Sequence, residues 1–244
     1  MKIKKNKLKA DLINGQVQIG CWLSLGNNVS AERCASAGFD WNLIDLEHAP
    51  LELNQVHQQL QVIAGHDCNS VVRADSTNKV LIKKLLDLGV QSLMIPNVQD
   101  LEELKDIVRY VTYPPKGVRG VSTNTRANLY GRVSDYFNFV ENEFCLMIQV
   151  ETRRAIEQIN KMSTVSELDV IFIGPQDLAA DLGHLGNPSH PEVRELMKDT
   201  ISLIVENKKI PGILSFDFTD ANYWLSQGVK FIAVTSDQFL LSKN

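Results

Sequence analysis

A single-domain parallel (β/α)8 barrel over residues 1–244 is predicted by three observations. Eight short aliphatic runs recur along the 244-residue chain. Longer amphipathic segments separate several of them. The runs are mostly continuously apolar rather than alternating, as expected of strands covered on both faces. Length agrees, since eight βα units in about 240 residues match such a barrel, whereas doubly wound open sheets more often carry about five to seven strands.

The predicted strands in order are VQIGCWL (residues 17–23), NLIDL (42–46), SVVRA (70–74), SLMIP (92–96), CLMIQVE (145–151), DVIFIG (169–174), PGILSF (211–216) and KFIAVTS (230–236). Helical periodicity appears in LELNQVHQQLQVIAG, NKVLIKKLLDLG, LEELKDIVRYV and HPEVRELMKDTISLIVENKK. Gly89 and Gly228 stand where helices close, and Pro191 where a first turn begins. One connection is longer than the rest. Residues 112–137 are rich in Pro, Gly and Asn and carry Arg119, Arg126 and Arg132. Because this loop leads back to the start of strand five, most of it is expected away from the catalytic face, as a binding loop or an oligomer contact.

Composition narrows the function. The chain is 44% hydrophobic and 22% charged, with a formal charge of -4. Basic residues cluster only in the first turn, so nucleic acid is not an expected partner and a small molecule is. Lys2, Lys4, Lys5, Lys7 and Lys9 resemble the start of a signal peptide, but no apolar core follows them. No run approaches the roughly 20 apolar residues of a membrane span. Cys21, Cys34, Cys68 and Cys145 form no CxxC pair. They read as reduced packing thiols, and a cytoplasmic address follows.

In a barrel of this kind chemistry sits at the C-terminal ends of the strands. There the sequence places Asp45, Glu47 and His48 after strand two, Arg73 after strand three, Gln149 and Glu151 on strand five, and Gln176 and Asp177 after strand six. Any one carboxylate could be a helix cap. Taken together, an arginine, a glutamine and several carboxylates so near a core call for partners or a ligand. Glu151 and Asp177 come from consecutive strands and suit a hard divalent ion that keeps water or substrate oxygens in its shell. His48, three residues beyond Asp45, is a candidate general base. Asp87 closes a helix where an acid opposes the dipole, which suggests a supporting role for His48 from a neighbouring unit. His57, His66, His184 and His190 lie on helical or loop patterns and receive no role.

These motifs resemble the metal-dependent class II pyruvate aldolases of the HpcH/HpaI type, over residues 17–237. The resemblance rests on IGCWLSL, AGFDWNLIDLEHAP, VVRADSTNKVLIKKLLDLG, YPPKGVRGVS, QVETRRAIEQI, FIGPQDLAADLGHLGNPSHPEV and PGIL. It implies that Glu151 and Asp177 bind Mg²⁺ (or Mn²⁺ or Co²⁺), which chelates the carboxylate and keto oxygens of pyruvate. By the same resemblance Arg73 stabilises the enolate oxygen, and His48 is the base with Asp45 and Asp87 raising its basicity. Gln149 binds substrate, and the backbone from Gly174 through Pro175 and Gln176 to Asp177 holds the pyruvate carboxylate. It further implies a homo-hexamer with exchanged C-terminal helices.

Within the family, RGVSTNTRANLYGRVSDYF and LGHLGNPSHP are most similar to members cleaving 2-dehydro-3-deoxyglucarate to pyruvate and tartronate semialdehyde. The alternatives are 4-hydroxy-2-oxoheptanedioate or 2-keto-3-deoxy-rhamnonate, a CoA-ester substrate, and a catalytically silent ketoacid-binding barrel. Gln176 stands where a small residue is usual, Leu46 where glycine is usual, and Gln99 and Thr235 where Glu and Gly are common. Relatives carry a further helix past the position of Asp237, where few residues remain here. No lysine occupies a strand end in these motifs, so a Schiff base is not expected.

Overall fold

The computed structural model describes residues 1, 2 and 4–242. The chain enters through α1 (Lys7–Ile13), then runs β1 (Gln18–Leu23), α2 (Asn28–Ala35), β2 (Trp41–Asp45), α3 (Leu53–Ile63), β3 (Asn69–Arg73), α4 (Lys79–Asp87), β4 (Ser92–Ile95) and α5 (Leu101–Val111). After a long excursion containing α6 (Tyr136–Phe139) come β5 (Cys145–Val150), α7 (Arg153–Glu157), α8 (Ile159–Met162), β6 (Leu168–Ile173), α9 (Pro175–Asp181) and α10 (Pro191–Glu206). β7 (Ile210–Leu214), α11 (Phe218–Ser226), β8 (Phe231–Ser236) and α12 (Asp237–Ser242) complete it.

All neighbouring strands pair in parallel, and β8 returns to β1 to close the barrel. The (β/α)8 expectation therefore holds. The eight aliphatic runs become the eight strands, with ends displaced by a residue or two: β7 starts at Ile210 and stops at Leu214, short of Phe216. The caps follow the chemistry. Asn78 accepts from the amides of Val80 and Leu81 at the start of α4, and Asp100 does the same for Glu102 and Glu103 in α5. Pro191 occupies the first turn of α10, while Gly89 (φ +90°) and Gly228 (φ +108°) follow α4 and α11.

Two cores share the strands. Outward residues such as Ile44, Val72, Ile95, Ile148 and Ile171 pack under the helices. Inward residues, among them Trp22, Trp41, Leu43, Val71, Met147, Phe172 and Phe231, fill the barrel, and Leu8 and Leu12 of α1 join that inner cluster at the N-terminal end. Trp41 stacks on Phe231 with ring centres 4.0 Å apart. Gly20 makes room for it, since a Cβ there would lie 2.1 Å from the indole.

The excursion between α5 and β5 lies at the N-terminal end, as its connectivity requires. It carries its own small core of Tyr113, Val133, Tyr136 and Val140. Arg126 donates from Nη1 to the Leu88 carbonyl at 2.6 Å, closing the end of α4. Past β8, α12 forms a short helix; Lys243 and Asn244 lie outside the described residues.

Candidate active site at the C-terminal ends of the strands

Period two along a strand carries the inner core directly into the site. Asp45 stands two residues after Leu43, Arg73 two after Val71, and Gln149 two after Met147. Asp45 and Arg73 are register partners on neighbouring strands, so one layer above the apolar filling is charged.

Arg73 organises that layer. Its Nε donates to Asp45 Oδ1 at 2.9 Å and its Nη2 to Oδ2 at 2.7 Å, a two-pronged pair. Its Nη1 lies 2.7 Å from Glu47 Oε2 and donates to Gln149 Oε1 at 3.3 Å. Gln149 passes the chain on, donating from Nε2 to Glu151 Oε1 at 2.9 Å. Trp22 holds the assembly from one side: its ring centre is 5.1 Å from the guanidinium carbon, and its Nε1 donates to Asp45 Oδ2 at 3.3 Å. Burial would raise the Asp45 carboxyl, but hydrogen bonds and charge from Arg73, with the Glu47 and His48 amides, hold it below the usual carboxylate range.

The neighbouring carboxylates behave in the opposite way. Burial, reinforced by the charges of Asp177 and Glu47, pushes Glu151 up to about 7. Burial likewise raises Glu47, with Asp45 and Asp177 adding to the effect and Arg73 and His48 opposing it. Three carboxylates therefore share one field that Arg73, divided between Asp45 and Glu47, does not fully neutralise. Gly174 lets this happen. A Cβ on it would fall 2.5 Å from Glu151 Oε1. Asp177, in the first turn of α9, faces the same field from an exposed position. An all-oxygen donor set with surplus negative charge is of the kind that could hold a hard divalent cation, and Glu151, Asp177 and Glu47 are the residues that could supply it.

Two side-chain placements bear on the candidate base. Asp45 does not orient the His48 imidazole: both its oxygens serve Arg73, and His48 reaches it only through the backbone amide at 3.5 Å. The His48 side chain is 68% exposed and its Nε2 lies 4.0 Å from Glu47 Oε2. Nor does this chain bring Asp87 to His48. Asp87 ends α4, which returns to the N-terminal end of the barrel, and its partner there is Arg119 at 3.5 Å. Gln176 is exposed beside Asp177, Leu46 packs against the outer core, and Gln99 accepts from Thr152 Oγ1 at 2.8 Å. Sequence reasoning placed Glu47 at the strand end without a role and missed Trp22. The signal for Trp22 was its position near the C-terminal end of β1, one residue before Leu23.

The pattern of the HpcH/HpaI aldolase/citrate lyase family matches residues 18–243. The chain belongs to that family. It is thereby a carbon–carbon lyase of the aldolase kind. It is 46% identical over 243 residues to a pyruvate aldolase of Rhizobium etli, covering 100% of this chain and 96% of that one. It is 44% identical over 240 residues to a 4-hydroxy-2-oxo-heptane-1,7-dioate aldolase of Escherichia coli, covering 98% and 92%. A solved family member from Burkholderia cenocepacia superposes with a TM-score of 0.95 at 33% identity, over 98% of this chain and 96% of that one. The Rhizobium etli and Escherichia coli relatives carry the names of pyruvate and of the alternative substrate, not of 2-dehydro-3-deoxyglucarate.

The four cysteines are free and buried. Among the described residues no helix is long and apolar enough to cross a membrane.

Proposed function

We propose that this chain is a class II pyruvate aldolase that cleaves a 4-hydroxy-2-oxo acid to pyruvate and an aldehyde, with 4-hydroxy-2-oxoheptanedioate preferred over 2-dehydro-3-deoxyglucarate. The observation that carries the reading is Arg73, locked by Asp45 and Trp22 and aimed along Gln149 toward the Glu151, Glu47 and Asp177 carboxylates. The names of the two curated relatives support the choice of substrate.

Cleaving the bond between C3 and C4 of such an acid leaves electrons on the C2 oxygen and requires loss of the C4 hydroxyl proton. A divalent ion, Mg²⁺ first, held by Glu151 and Asp177 would supply Lewis-acid stabilisation of the C2 oxygen. Arg73 donates to that oxygen as charge develops, and its orientation is fixed in advance, so no reorganisation is needed at the moment of reaction. Gln149 orients the ketoacid from the strand-five side. The amides of Gln176 and Asp177, in the first turn of α9, receive the pyruvate carboxylate. His48 takes the C4 hydroxyl proton, and its exposure beside Glu47 leaves it free to meet the aldehyde end of the substrate. Water supplies the proton that converts the enolate carbon C3 to the methyl group of pyruvate. Asp87 enters only through a second copy of the chain, in the hexamer that the resemblance implies; the cytoplasmic address belongs to the same reading.

The test is pyruvate release from both substrates, with Mg²⁺ and with EDTA. Release that EDTA abolishes and that Glu151→Gln and Asp177→Asn both lose is the expected result, with the heptanedioate the better substrate. Equal release in EDTA would overturn the reading, and pyruvate binding without turnover would favour a silent barrel.

A further inference from the structure

Beyond Asp177 on the same side of the barrel, the loop from α9 to α10 folds back on itself. Gly183 (φ +83°) and Gly186 (φ +77°) reverse the chain, and backbone bonds from His184 to Ala179 (2.7 Å), Asn187 to His184 (2.9 Å) and His190 to Asn187 (3.1 Å) fix its shape. The result stacks the His184 and His190 rings at 3.5 Å, 17° from parallel. Glu192, in the first turn of α10, completes the group: its Oε2 lies 3.0 Å from His184 Nε2, and its amide donates to His190 Nδ1 at 3.3 Å.

We propose that His184, His190 and Glu192 form a second metal site that takes a borderline divalent cation such as Zn²⁺, Co²⁺ or Ni²⁺. Each residue offers one ligand atom, and the three lie within 4.8 Å of one another. Metal–ligand distances of about 2.0–2.2 Å put donors at most about 4.3 Å apart. The stacked imidazoles must therefore splay to aim their in-plane lone pairs at one ion, His190 through Nε2 because its Nδ1 accepts from the Glu192 amide. Two imidazoles and one carboxylate leave a coordination position for water. This donor set selects differently from the mouth, where oxygen alone is offered and Mg²⁺ is favoured.

The support around the ligands is already built. Arg153 donates from Nη2 to Glu192 Oε1 at 3.0 Å, leaving Oε2 for the metal and fixing the carboxylate from outside, as partners of metal ligands commonly do. The same Arg153 donates its amide to Asp181 Oδ2 at 2.8 Å. The cluster thus clamps the segment after Glu151 to the end of the helix that begins beside Asp177. Loading it stabilises the fold by mass action and takes no part in cleavage.

Zinc is titrated calorimetrically into a Glu151→Gln, Asp177→Asn double variant, which removes the mouth as a competing site. One equivalent of Zn²⁺ is expected to remain. Adding His184→Ala, which leaves the His190 cap of α10 in place, is expected to weaken binding at least ~10-fold, and Glu192→Gln to do the same. Co²⁺ in place of Zn²⁺ gives a visible spectrum that His184→Ala abolishes. His184→Ala alone leaves Mg²⁺-supported pyruvate release unchanged. Absence of Zn²⁺ binding in the double variant, or binding that survives both His184→Ala and Glu192→Gln, overturns the site.

Discussion

Two buried arginines sit at opposite ends of this barrel, each beside an aspartate, and they are used in different ways. Arg73, at the C-terminal end, has a 7% exposed side chain and a two-pronged grip on Asp45, whose side chain is 2% exposed. Arg119, at the N-terminal end, is buried more deeply, at 3%, yet meets Asp87 only once, at 3.5 Å, and Asp87 is 27% exposed. Its Nε and Nη2 have no hydrogen-bond partner among the described residues, and its guanidinium carbon lies 4.3 Å from the Tyr113 ring centre. One pair is complete within the chain. The other leaves donors over.

The largest difference is expected in stability. Asp45→Asn breaks a buried, two-pronged pair and leaves Arg73 poorly matched, which costs about 3–5 kcal/mol in urea unfolding. Asp87→Asn removes a long contact to a partly exposed acid and costs less than about 1 kcal/mol. Equal losses would mean that the two pairs carry the fold alike.

Catalysis sharpens the same contrast. Arg73→Lys replaces a planar fork with a point charge that cannot hold Asp45 and the C2 oxygen together. A fall in kcat of at least ~10²-fold for pyruvate release is expected, by analogy with losing an oxyanion donor. Full activity would remove Arg73 from the role assigned to it.

The third difference is in pH dependence. Glu151 titrates at about 7 in the folded chain against an ordinary 4.5. Between those values the folded state holds a proton that the unfolded state has lost. The stability linked to Glu151 is therefore fully present below about 4.5 and lost as pH rises through about 7, by at most about 3 kcal/mol. Asp45 runs the other way, since its depressed folded pKa makes its contribution disappear as pH falls. In metal-free protein, denaturant melts from pH 5 to 8 should show the wild-type slope and its loss in Glu151→Gln. The same slope in both proteins would assign it elsewhere.

The barrel was legible in the sequence because its strands are continuously apolar and its turns are punctuated by Gly89, Pro191 and Gly228. The strand-end polar residues were legible for a related reason. A charge two positions beyond Leu43 or Val71 has nowhere to go but the mouth. What could not be read was pairing. Nothing in IDLEHAP says that Asp45 spends both oxygens on Arg73 rather than on His48, because that choice is set by strand register across β2 and β3. The partnership of His184 with His190 was hidden similarly, since two glycines with positive φ bring together residues that lie on no common helical face.

Asp87 provides the final test, because it asks whether the N-terminal end of one barrel serves the C-terminal end of another. Inside one chain Asp87 is remote from His48, so a direct effect on the base requires a second copy. If the proposed assembly places it there, Asp87→Asn and His48→Ala are each expected to be impaired alone, while refolding them together at equal amounts restores activity. A mixed site needs His48 from one subunit and Asp87 from its neighbour, so random assortment in a symmetric ring repairs about a quarter of the sites. Pyruvate release near that level would show a shared site. No restoration, with Asp87→Asn active by itself, would confine Asp87 to its contact with Arg119 and leave the base to work without it.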